Sequence, residues 1–218
     1  LLTQGQYRIL ETKAPEGYEL AAKFTFKVDQ YGMINHINGK KVAPIQDSDY
    51  VGSDHDQFIV RDKPITIQLE KQDLEGHAIE TDNSYAIFKV SGTFADGATE
   101  ITDITTANVH DKLKGLLVVG NQYTLTETKA PDGYKLGDVI IFTVQDDGTI
   151  VINNQNSNDK IVVKDQPITI NLKKYDSHQN PIEETQLGYA QFKVTGTFSD
   201  GTEEKTVTSA NISTVLNT

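Results

Sequence analysis

The chain has no cysteine, no tryptophan and a single methionine in 218 residues. Without cysteine there is no disulfide framework, no thiolate zinc site and no cysteine nucleophile. The scarcity of tryptophan and methionine leaves little material for a greasy ligand pocket or a Met-rich binding groove. Positive charge is also short. Lys and Arg number 20 against 31 Asp and Glu, for a net charge of −11, which argues against nucleic acid and anionic membrane as partners. No stretch reads as a signal peptide, a membrane span or a wall-sorting signal, so the expectation is an excerpt or a mature fragment. Gly-x-Ser-x-Gly, P-loop and dinucleotide fingerprints are missing too. The five histidines (His36, His55, His77, His110 and His178) show neither metal-ligand nor triad spacing. They are expected on the surface, and neither a metal nor another cofactor is expected.

What the chain does have is repetition. Tyr123-Thr-Leu-Thr-Glu-Thr-Lys-Ala-Pro-Asp-Gly-Tyr134 has an earlier copy in Tyr7-Arg-Ile-Leu-Glu-Thr-Lys-Ala-Pro-Glu-Gly-Tyr18. Ile65-Thr-Ile-Gln-Leu-Glu-Lys71 returns 103 residues later as Ile168-Thr-Ile-Asn-Leu-Lys-Lys174, and Asp62 before Lys63-Pro64 returns at the same distance as Asp165 before Gln166-Pro167. Glu11 and Glu127 stand 116 apart, so the first copy carries about a dozen extra residues, near 41–57. Residues 65–167 therefore read as one whole repeat. Residues 1–64 read as the second half of a preceding one, and 168–218 as the first half of a following one.

The fold reading is all-β, as tandem antiparallel β-sandwiches of immunoglobulin-like or prealbumin-like kind. Alternating runs at 24–28, 86–90 and 140–144 are expected strands, and Asp96-Gly97, Asp147-Gly148 and Asp200-Gly201 are expected turns. The Asn/Asp-rich stretch 153–159 reads as a hairpin loop, and only 105–114 has room for a helical turn. About seven short strands per repeat suit a two-sheet sandwich.

Strand parity then exposes an oddity. Side chains two apart share a face, so Lys71 sides with Ile65, Ile67 and Leu69. By the same count Glu127 sides with Tyr123 and Leu125, and Asp165 with Ile161 and Val163. One repeat thus directs a lysine and two carboxylates inward. Lys174, Glu11 and Asp62 reproduce the set across the two half-repeats. A lysine closing an apolar strand ordinarily snorkels to water, but three inward charges in two copies ask for a site. Burial disfavours the charged forms. A neutral amine is a nucleophile, and a protonated glutamic acid can polarise a neighbouring carboxyl and relay protons. Attack of the amine on the aspartic carboxyl with loss of water would leave an amide and no buried charge.

These residues, in this order, resemble the collagen-adhesin B-type (SpaA-like, prealbumin-like) domains of Gram-positive surface adhesins and pilins. The pattern is Ile-x-Leu-x-Lys-x-Asp, Ala-x-Phe-x-Val, Tyr-x-Leu-x-Glu-Thr-x-Ala-Pro-x-Gly-Tyr and Val-x-Asp before proline. The resemblance implies a spontaneous isopeptide bond with Lys71 as donor, Asp165 as acceptor and Glu127 as catalyst, and the same roles for Lys174, Asp62 and Glu11. Many members use Asn as acceptor; Asp means that water is released. The implied protein is a secreted, wall-attached stalk or spacer, extracellular, and not an enzyme beyond this single turnover.

A half sandwich cannot bury its apolar face, so each half is expected to be completed by another. The short junctions at Lys63-Pro64 and Gln166-Pro167 point to 168–218 of one molecule joining 1–64 of the next, head to tail, with Lys174 bonded to Asp62. An intrachain, circularly permuted pairing is the alternative. A different function would be a ligand-binding adhesin head, with loop 41–57 contacting a host protein or glycan. A transthyretin-like enzyme or carrier is disfavoured, because the inward polar residues form a closed, self-reactive set. The acidic stretch 46–56 has calcium-like oxygen spacing but presents Phe58 where an EF-hand places its bidentate Glu, and a solvated loop is expected there.

Overall fold

The computed structural model describes residues 2–38, 40–41, 51–54, 57–182 and 188–216. Sixteen strands and two short helices are found among them. β1 (Gly5–Ile9), β2 (Phe24–Val28), β3 (Ile34–Ile37) and β4 (Lys40–Lys41) form an antiparallel sheet in chain order. β5 (Val51–Asp54) and β6 (Gln57–Val60) make a separate hairpin. β7 (Gln68–Asp73) pairs with β14 (Lys160–Asp165), bringing together strands distant in sequence. The largest sheet has the order β13 (Gln155–Asn156), β12 (Ile150–Ile152), β11 (Ile140–Val144), β10 (Gln122–Lys129), β8 (Ile87–Ser91), β9 (Glu100–Ile104). β15 (Gln191–Thr195) and β16 (Glu204–Thr208) form a last hairpin. α1 (Val109–Leu113) falls within the one stretch expected to hold a helical turn. α2 (Ile212–Leu216) was not anticipated, although it stands 103 residues after α1, at the repeat distance.

β2 and β11 have the bounds expected from their alternation, and β8 begins one residue later than expected. The stretch read as a hairpin loop at 153–159 is partly strand. Asn153 and Asn154 alone make the turn, at φ 51° and 63°, and β13 follows at once. Two left-handed residues in succession match the twist of the flanking strands, and asparagine tolerates that conformation. The side chains of the acidic stretch 46–56 lie outside the described residues, as does most of loop 41–57 apart from the β5–β6 backbone.

Contacts divide the chain into two compact units. The first comprises Leu1–Glu70, Phe88–Thr126 and Val139–Ile161, the second Lys71–Ile87, Glu127–Asp138 and Val162–Thr218. The first unit has the larger apolar core. Ile65, Ile67, Phe88, Val90, Ile104, Leu113, Leu117, Leu125, Phe142, Ile150 and Ile161 are all fully buried there. Tyr123 sits among them, 5.1 Å from the Phe94 ring centre and 5.5 Å from that of Phe142. Its hydroxyl donates to the Thr93 carbonyl at 2.8 Å and accepts the Val118 N–H at 2.9 Å, as a buried phenol requires. The second unit buries Ala86, Val163, Val207 and Ile212, and with them three charged side chains.

Candidate functional site

Among the described residues the three buried charged ones are Lys71 on β7, Glu127 on β10 and Asp165 on β14, with relative exposures of 2%, 5% and 0%. Each is held inward by the strand period. Along β14 exposure alternates strictly, with Ile161, Val163 and Asp165 buried and Lys160, Val162 and Lys164 exposed. β10 buries Tyr123, Leu125 and Glu127, and β7 buries Leu69 and Lys71. At the end of each strand the face that carries aliphatics is handed to a charged residue. Lys71 has nowhere to snorkel, since its ammonium end is fully enclosed.

Lys71 Nζ lies 2.8 Å from Glu127 Oε1 and donates to Asp165 Oδ1. Glu127 Oε2 accepts the backbone N–H of Gly137 at 2.5 Å. Asp165 Oδ2 is buried with no hydrogen-bond partner. One cation thus faces two carboxylates in a site without water contact, a composition that cannot be neutral with all three ionised. Burial pushes the Glu127 carboxyl above its ordinary range, against the opposing pull of the Gly137 N–H and Lys71, and the Asp165 charge pushes it up further. The trio can share protons, and the Lys71 amine and the Asp165 carboxyl are in hydrogen-bond contact.

The second expected set is divided between the two units. Glu11 and Asp62 belong to the first unit and Lys174 to the second. Glu11 and Asp62 are half-buried, while Lys174 is exposed. Glu11 Oε2 accepts the Ala21 N–H at 2.6 Å, ten residues ahead, as Glu127 does from Gly137. Burial raises the Asp62 carboxyl, and the Glu11 charge adds to it, so the two carboxylates sense one another. The local geometry of the glutamate is therefore common to both copies, and the enclosure is not. Sequence reasoning passed over Gly137 and Ala21. Their signal was the shared offset of ten residues from each glutamate, legible only once a backbone N–H is sought.

Of the histidines, His77, His110 and His178 are exposed and His36 is half-buried, while His55 lies outside the described residues.

Residues 1–42 and 62–158 match the profile of the SpaA family, a prealbumin-like fold domain. The chain belongs to this family. The stretch between the two matched segments contains the extra residues near 41–57. The SpaA profile covers Glu11, Asp62, Lys71 and Glu127, and stops short of Asp165 and Lys174. Among solved structures, the C-terminal fragment of the pilus adhesin SpaC from Lactobacillus rhamnosus GG is 22% identical, over 78% of this chain and 79% of that fragment, with a TM-score of 0.36. SpaC in its open conformation is 23% identical over 78% of this chain, with a TM-score of 0.34, and this chain spans 25% of that protein's length. The shaft pilin SpaA from the same organism is 17% identical, over 76% of this chain and 65% of that one, with a TM-score of 0.30. No curated protein sequence matches the chain.

Proposed function

We propose that this SpaA-type chain is a stalk or spacer segment of an adhesin or pilin on the surface of a Gram-positive cell, rigidified by a self-formed isopeptide bond between Lys71 and Asp165. The observation that carries the reading is the burial of Lys71, Glu127 and Asp165 together in a site closed to water. As a plain salt bridge the arrangement is poor, because desolvation costs several kcal/mol per ion and Asp165 Oδ2 has no partner to offset it. As a reactant complex it is apt. The Lys71 amine attacks Asp165 Cγ, an N–C bond forms, and one carboxyl oxygen departs. Glu127, whose carboxyl burial pushes above its ordinary range, takes a proton from the attacking amine and gives one to the leaving hydroxyl. An amide and one water result, and no lysine or aspartate charge remains buried. Placement replaces a bimolecular encounter, for which effective molarities reach ~10⁵–10⁸ M.

Lys174, Glu11 and Asp62 form the corresponding set between molecules, with 168–218 of one copy completing 1–64 of the next. What supports this is exposure. Ile168 and Ile170 are 48% and 46% exposed, whereas their repeat equivalents Ile65 and Ile67 are fully buried.

Intact mass under denaturing conditions tests both. The Lys71–Asp165 bond predicts a chain lighter by one water, and Glu127→Gln restores the mass of the bare sequence. Joining through Lys174 and Asp62 predicts a denaturant-resistant ladder that loses one further water per junction. A wild-type chain at its bare sequence mass ends the crosslink reading.

A further inference from the structure

The geometry assigns Gly137 as a positioning residue for the Lys71–Asp165 reaction: its N–H aims Glu127, and its missing side chain leaves the space in which Asp165 meets Lys71. This rests on the function proposed above. Gly137 lies in the loop after β10, outside the repeated Glu-Thr-Lys-Ala-Pro motif. Its N–H donates to Glu127 Oε2 at 2.5 Å, which leaves Oε1 as the oxygen turned toward Lys71 Nζ. A carboxyl free to rotate would present either oxygen, and a relay needs one of them on the amine. The same residue is small for a second reason. A Cβ on Gly137 would stand 2.6 Å from Asp165 Oδ1, 2.8 Å from Val163 Cγ1 and 3.3 Å from the Lys164 carbonyl oxygen. Oδ1 is the acceptor oxygen that Lys71 contacts. A methyl group there must displace either the acceptor carboxyl or the 137 backbone, and the latter withdraws the N–H from Glu127. Gly137 is not in a left-handed conformation, so space rather than backbone freedom is what glycine supplies.

The first copy provides an internal contrast. Ala21 occupies the equivalent position, with the equivalent N–H bond to Glu11. It keeps the aiming bond and carries the methyl, so the 1–64 copy is the poorer seat for its acceptor, Asp62.

The test is the rate of water loss in chains synthesised in vitro, sampled by intact mass after translation is stopped, at several pH values. Gly137→Ala should slow bond formation by ~100-fold, the scale of a misplacement of about 1 Å, while circular dichroism shows the strands intact. Gly137→Pro, which has no N–H to give Glu127, should also move the acidic limb to higher pH; an unmoved limb in that variant overturns the aiming role. A Gly137→Ala rate within twofold of wild type overturns the proposal. A wild type that never loses water overturns the crosslink reading instead, and a second measurement then decides Gly137. In a Lys71→Met background, which cannot crosslink, Gly137→Ala should lower the Tm more with Asp165 present than with Asp165→Ala. Equal shifts in both backgrounds overturn the steric role.

Discussion

At Asp165 one carboxyl oxygen contacts Lys71 and the other is buried without a partner. Few residues in a folded chain are left half-satisfied at full burial, because the desolvation cost is not recovered. An amide at this position removes the problem, and this is the physical reason to read the trio as reactants. Glu127 offers an independent check. Its folded carboxyl lies above the ordinary value, chiefly from burial. Such a group binds its proton more tightly folded than unfolded. Its favourable contribution is complete below the unfolded value of about 4.3 and is lost as pH rises through the folded value. In the Lys71→Met chain one of the influences holding it down is gone as well. We therefore expect the urea stability of Lys71→Met/Glu127→Gln to gain on Lys71→Met as pH rises. The gain should be at most ~1.4 kcal/mol per pH unit within that window. A difference independent of pH between 4 and 9 would show that Glu127 titrates normally.

The turn motif repeats in structure as it does in sequence, but β7 does not, since its sequence copy at 168–174 forms no strand. The Ala-Pro-Asp/Glu-Gly turn ends in the same way twice. Gly17 O accepts the Ile65 N–H at 2.8 Å and Gly133 O accepts that of Ile168 at 2.7 Å, both glycines at φ 86°. Tyr18 bridges to Pro64 as Tyr134 does to Pro167. Past the junction the copies diverge. Ile67 is fully buried and Ile170 is 46% exposed. Ile67→Ala should cost ~2–5 kcal/mol, as a cavity in a packed core does, and Ile170→Ala no more than ~0.5 kcal/mol, as at a surface, both read from chemical denaturation of the monomer. A comparable cost at Ile170 would mean that 168–218 is already covered, and a ladder on the gel would say by what. The alternation of β14 and β10 was legible residue by residue, because successive side chains of any strand point to opposite faces and only one face lies in a core. α2 and β13 were not legible. Each is shorter than the window over which periodicity can be counted.

For the whole molecule, the proposed bond joins residues 94 apart in the chain and so encloses most of one repeat. On the chain-entropy account of crosslinks such a closure is worth roughly 4–5 kcal/mol, and under tension it does more. Force applied outside the loop passes from Lys71 to Asp165 without extending what lies between. In single-molecule pulling, Lys71→Met should release about 300 Å more contour than the wild type, from 94 residues at ~3.3–3.6 Å each. Equal contour lengths in the two chains would place no covalent bond there. A segment with these properties suits a tether that must bear load without disulfides, and the chain has no cysteine with which to build one.

By itself the sequence determined the all-β class, the repeat distance and the inward parity of Lys71, Glu127 and Asp165. Each of these follows from periodicity along a single strand, or from copying along the chain, and needs no knowledge of neighbours. Only the tertiary structure decided which of the two charged sets is enclosed, since parity says which way a side chain points and not what covers it. β14 laid beside β7, with β10 bringing its glutamate to the same place, makes a dry site of the first set. For the second, the apolar stretch 168–172 forms no strand and finds no such cover, and Lys174 stays in water. The role of Gly137 belongs to the same level. Its N–H and its bare α-carbon acquire meaning only from a glutamate ten residues back and an aspartate on another strand, brought within a few ångströms by the fold.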